Sequence, residues 1–91
     1  MGVMRVIYKI MPTEPGEKII KVIIDKVRDL SSKLNIKLHD YKAEPIAFGL
    51  YSLKILVSMP EEEDGILNRF EEEVKNINEV ESLEVVGMTR A

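Results

Sequence analysis

The groups in this 91-residue chain that could do covalent chemistry are few, and they do not converge. His39 is the sole histidine and cysteine is absent, so a thiolate nucleophile, a disulfide and a thiolate metal site are all excluded. Ser31, Ser32, Ser52, Ser58 and Ser82 sit in no nucleophile motif, and a Ser-His-Asp arrangement would have to recruit His39 from a separate strand. The run Glu61-Glu62-Glu63-Asp64 could attract a divalent cation, but consecutive carboxylates on a solvated turn do not make a preorganised cage. Glycines are too sparse for a phosphate-cradling loop. The pattern argues against an enzyme and against a bound cofactor. What it offers instead is Glu44-Pro45-Ile46-Ala47-Phe48-Gly49-Leu50, a proline-led segment that sets a bulky aromatic beside a glycine. Aromatic side chains ordinarily enter the core; one held at a loop tip is a probe for a pocket on another molecule.

Composition narrows the classes further. The formal net charge is −3, from 13 basic and 16 acidic residues. A nucleic-acid binder usually carries a basic excess, so direct nucleic-acid binding is not expected. Basic residues concentrate in the first half, at Lys18, Lys21, Lys26, Arg28, Lys33, Lys37 and Lys42, and acids in the second, at 61–64 and Glu71-Glu72-Glu73. That asymmetry permits a dipolar surface able to orient a charged partner. No apolar run approaches the ~18–20 residues of a membrane span, and Met1 to Arg5 leads into a strand pattern instead of a signal peptide. The expectation is one cytoplasmic domain over residues 1–91, without membrane attachment and monomeric when free.

The elements that must position the loop follow from periodicity. Val3 to Met11 alternates, with Met4, Val6, Tyr8 and Ile10 on one face and Arg5, Ile7 and Lys9 on the other, which predicts a half-buried strand. Pro12, Pro15 and Gly16 end it. From Glu17 to Leu34 the residues Ile20, Ile23, Ile24, Val27, Leu30 and Leu34 form one helical stripe, and Asn35 is a helix stop. A second strand is expected from Ile36 to Tyr41 or Ala43, with Ile36, Leu38 and Asp40 on the face opposite Lys37, His39 and Tyr41. Leu50 to Met59 reads as a third strand whose core face is Tyr51, Leu53, Ile55, Val57 and Met59. After Pro60 and the acidic run, Ile66, Leu67, Phe70, Val74 and Ile77 mark a second helix, and a fourth strand follows from Val80 to Met88.

The order β-α-β-β-α-β, with right-handed crossovers and two one-faced helices, predicts an α+β, ferredoxin-like sandwich. Its four-stranded antiparallel sheet would have the order 4-1-3-2 and carry both helices on one side. Fold alone does not choose a function. A metal chaperone of this fold needs paired cysteines, and an acylphosphatase-like enzyme needs an arginine in the first loop; neither is present. An RNA-recognition module needs aromatics on the exposed face of its central strands, whereas Tyr8 and Tyr51 are assigned to the core face. A small regulatory or effector-binding domain is the alternative that composition leaves open.

The segment 44–50 followed by Leu53-Lys54-Ile55 resembles the archaeal-type translation elongation factor 1-beta family. Met11-Pro12, Asp64-Gly65 and Val80-Glu81-Ser82-Leu83-Glu84-Val85 are compatible with it, and the resemblance spans the whole chain. It implies guanine-nucleotide exchange on elongation factor 1-alpha, in its GDP-bound and nucleotide-free states, without covalent chemistry. It also implies that a loop aromatic enters a pocket on that GTPase and that a basic residue beside the C-terminus reaches toward its magnesium site. Phe48, with Ile46, Ala47 and Gly49 around it, matches the first position. Arg90 matches the second, where eukaryotic relatives have lysine; a planar guanidinium fork and a compact ammonium are not equivalent there. With strand four at the sheet edge, Phe48 and Arg90 are expected at separate points of a broad footprint.

Overall fold

A computed structural model describes residues 2–61 and 65–90, for Arg90 the backbone alone. Strand β1 (Val3–Pro12) leads to helix α1 (Glu17–Lys33), strand β2 (Lys37–Pro45), a single 3-10 turn (Ala47–Gly49), strand β3 (Tyr51–Pro60), helix α2 (Ile66–Lys75) and strand β4 (Val80–Arg90). The strands form one antiparallel sheet in the order β2-β3-β1-β4, which is 4-1-3-2 read from the other edge. This is the ferredoxin-like α+β arrangement expected from the periodicities. No described helix is long and apolar enough to cross a membrane.

The core lies between one sheet face and both helices. Met4, Val6, Tyr8 and Ile10 of β1 and Leu53, Ile55, Val57 and Met59 of β3 are buried, as their alternation requires. They meet Ile20, Ile23, Ile24 and Val27 of α1 and Ile66, Phe70 and Val74 of α2 in one cluster. Asn35 ends α1 in the left-handed region, at φ 59°. Of the acidic run 61–64, residues 62–64 lie outside the described residues.

Strand β2 corrects the expected alternation. Leu38 pairs with Val57, yet Asp40 pairs with Leu56, so His39 is an extra residue in the ladder. This bulge reverses the faces for the remainder of the strand. Tyr41, which pairs with the buried Ile55, joins the helix side, whereas Asp40, Lys42 and Glu44 turn to the open face. The expectation that Ile36, Leu38 and Asp40 share a face is therefore wrong from Asp40 onward. Four buried apolar residues in β3, Leu53, Ile55, Val57 and Met59, fix its face; β2, an edge strand with few apolar residues, has no comparable bias against the slip.

One polar pair runs through the core. Tyr8 is fully buried, and its hydroxyl donates to Glu71 Oε2 at 2.9 Å, while its ring lies 5.6 Å from that of Phe70. Burial first, then the hydrogen bond and the charge of Glu71, push the phenol well above its usual value. A raised acid pKa in the folded state contributes stability that is fully present below the unfolded value near 10 and is lost as pH rises above it. Tyr8→Phe should cost about 1–2 kcal/mol at neutral pH, since the carboxylate loses a donor. In urea unfolding measured from pH 8 to 11, the variant should show a shallower alkaline loss than the native chain. An equal slope would mean that Tyr8 is not the group responsible.

Candidate functional site

The β2–β3 connection is a tight, closed loop. Ile46 N–H donates to Leu50 O at 2.8 Å and Leu50 N–H donates to Ala47 O at 3.3 Å, so the intervening residues are forced outward. Phe48 and Gly49 both have positive φ, 63° and 75°. For glycine this costs little; for phenylalanine it puts Cβ against the backbone. A side chain at Gly49 would find room, with Pro15 Cβ at 3.6 Å, so glycine is required there by φ and not by space. The Gly49 carbonyl also accepts from Gly16 N–H at 2.9 Å, which ties the loop to the entry of α1.

The outcome is an aromatic with no intramolecular use. Phe48 is 95% exposed, and Ile46 is 45% exposed beside it. At the loop base, Tyr51 donates its hydroxyl to Glu17 Oε1 at 2.9 Å, which raises the Tyr51 phenol above its ordinary value and adds a second link to α1. The tip is thus a presented probe on a braced stem.

Arg90 is elsewhere. Pro45 pairs with Tyr51 next to the loop, while Arg90 pairs with Met4, which pairs in turn with Met59. Eight residues of strand separate Tyr51 from Met59, roughly 26 Å at ~3.3 Å per residue. The sheet therefore brings Ile46, Ala47, Phe48 and Gly49 together and sets Arg90 near its opposite end.

Two features escaped the reading of the residues. His39 Nε2 and Ser58 Oγ are 2.7 Å apart, so adjacent strands do join a histidine to a serine. Only the register could have revealed it. Among the described residues no carboxylate bonds to the other ring nitrogen, and Ser58 is buried in the ladder. Also, Lys26 Nζ and Glu79 Oε1 meet at 2.7 Å, a contact that holds the Glu79 carboxyl below its ordinary value and clips α1 to the turn before β4. Among the described residues no group of three or more His, Asp or Glu side chains could hold a metal ion.

Residues 5–91 match the family described as the EF-1 guanine nucleotide exchange domain. Elongation factor 1-beta of Saccharolobus solfataricus is 48% identical over 64 residues, covering 68% of this chain and 70% of that protein. Elongation factor 1-beta of Methanococcus vannielii is 38% identical over 81 residues, 89% of either chain. Among solved structures, the C-terminal domain of the MgtC protein from Mycobacterium tuberculosis superposes with a TM-score of 0.66 at 14% identity, covering 100% of this chain and 88% of that one. Ribosomal protein S6 from Thermotoga maritima gives 0.60 at 11% identity, covering 100% and 89%. At such identities these likenesses concern the fold alone.

The strained, exposed Phe48 should lower the stability of the free protein. Left-handed φ costs an ordinary residue about 1–2 kcal/mol, and asparagine tolerates it better. Phe48→Asn should stabilise the fold by about 1 kcal/mol, a melting shift of roughly 4–8 °C for a chain of this size. Calorimetry showing a lower melting temperature would instead mean that the ring packs against the protein in solution.

Proposed function

This chain belongs to the EF-1 guanine nucleotide exchange domain family, matched over residues 5–91, and from that membership we propose that it promotes GDP release and GTP reloading on elongation factor 1-alpha. It acts in the cytoplasm as a single exchange domain, without covalent chemistry or a cofactor of its own. The observation that carries the reading to named residues is Phe48: fully presented, held in an unfavourable backbone conformation, and idle in the free protein.

The physics needs more than one contact. An exchange factor must bind the nucleotide-free GTPase more tightly than the loaded one, because equal affinity for both shifts nothing. Burying a phenylalanine is worth about 1.5–3 kcal/mol, and a thousandfold faster release requires on the order of 4 kcal/mol. Phe48, flanked by Ile46, Ala47 and Gly49, supplies the first part by entering a pocket on the GTPase. Arg90 supplies a second, as a cation directed at the magnesium and phosphate site whose charges it perturbs. Their separation requires one GTPase to span the length of the sheet. An interface of ~800 Å² per partner is about 30 Å across, enough for both. The alternative of a small effector-binding regulatory domain has only the fold behind it.

Mixing the protein with elongation factor 1-alpha carrying a fluorescent GDP should accelerate release. Phe48→Ala should cut that acceleration by roughly ten- to hundredfold, the equivalent of the lost burial, with unfolding unimpaired. Arg90→Ala should reduce the maximal rate without abolishing binding. Unchanged release with the native protein would end the exchange reading; a metabolite-dependent melting shift in its place would favour the regulatory one.

A further inference from the structure

The face of the sheet turned away from the helices carries a charge pattern that the core does not explain. Lys42 pairs with Lys54, and Lys54 pairs with Lys9, so three lysines stand in one row across β2, β3 and β1. Directly opposed residues of one face have Cβ atoms about 4.5–5.5 Å apart, and like charges so placed destabilise a sheet. The relief is partial. Lys54 Nζ reaches Glu44 Oε1 at 3.4 Å, Glu84 is the partner of Lys9 on β4, and Lys42 forms no ion pair among the described residues. The row exists only because of the bulge at His39, which turns Lys42 outward.

Beside it runs an apolar row, Leu56 paired with Ile7 and Ile7 with Gly87. Gly87 adds no side chain over Ile7, which stays 39% exposed. A shallow depression of about 220 Å³ opens here, lined by Ile7, Asp40, Lys42, Lys54 and Leu56 among others. One row farther, Lys37 and Arg5 both pair with Ser58.

We propose that this open face is a second docking surface for the same GTPase, fitting an acidic, partly apolar face beside the pocket that takes Phe48. The inference rests on the exchange-factor reading. Its position supports a shared partner: Lys42 is three residues from Pro45, about 10 Å from the base of the Phe48 loop. Its chemistry selects a protein over a nucleic acid. The central strands offer no aromatic on this face for base stacking, and the interleaved Asp40, Glu44 and Glu84 would repel a phosphate backbone. An acidic protein face satisfies the lysines, and its apolar part covers Ile7 and Leu56. The cross-strand repulsion tolerated in the free protein is then relieved on docking.

Charge reversal separates this surface from the loop. Lys9→Gln/Lys42→Glu should slow association with nucleotide-free elongation factor 1-alpha at least tenfold at low salt and flatten its salt dependence. GDP release at saturating factor should be unchanged. Phe48→Ala should do the reverse, lowering the saturated rate while keeping the salt dependence of association. Lys42→Glu alone should raise the melting temperature of the free protein by about 1–5 °C, since it replaces a like-charge pair by an opposite one. Association of the double variant at the native rate and salt slope would overturn the inference with the exchange reading intact. Failure of the native protein to accelerate release would remove the reading first and this surface with it. Tight binding of single-stranded RNA by the native protein, lost in the double variant, would assign the face to nucleic acid and refute the proposal.

Discussion

The rest of this structure depends on the burial of a single face of β1 and β3. Val6, Tyr8, Ile10, Leu53, Ile55 and Val57 are at most 1% exposed, and both helices lie over them. A strand has only two faces, so committing one to the core leaves the alternate residues, among them Arg5, Ile7, Lys9, Lys54 and Leu56, on an uncovered surface. The same burial fixes the register of the central pair, and the register decides which residues of the edge strands become neighbours. The open face and the sheet ends are among the surfaces that this packing leaves exposed.

The end carrying Phe48 is built by short-range hydrogen bonds whose geometry excludes a relaxed loop. The bonds between Ile46 and Leu50 and between Leu50 and Ala47 force a turn through two consecutive left-handed residues, and Gly16 and Glu17 fix its stem to α1. A solvent-exposed phenylalanine in that conformation gains nothing for folding. Such local cost held in place by surrounding structure is characteristic of surfaces that meet a partner. In the free protein the loop is thus preorganised, which lessens the ordering entropy lost on association.

Much of this was legible in the chain. Central strands with four or five alternating apolar residues, and helices with a full apolar stripe, admit only one inward face each, so β1, β3, α1 and α2 were readable from spacing alone. The loop was readable for a different reason: proline, aromatic and glycine in that order restrict the backbone locally. Strand β2 was not readable past Leu38. Its polar residues fit either face, and the bulge at His39 is decided by pairing with β3, which local spacing cannot express. The His39–Ser58 contact and the row of lysines were hidden for the same reason.

The amino-acid sequence by itself determined the element order, the buried faces of β1, β3, α1 and α2, and the identity of the loop aromatic, because these follow from side-chain size, polarity and local backbone limits. Only the tertiary structure decided that Phe48 is outside and braced, that Arg90 lies near the far end of the sheet, and that Lys9, Lys42 and Lys54 stand side by side. Those are distances between residues tens of positions apart, and they are set by strand register and order, quantities that belong to the assembled sheet.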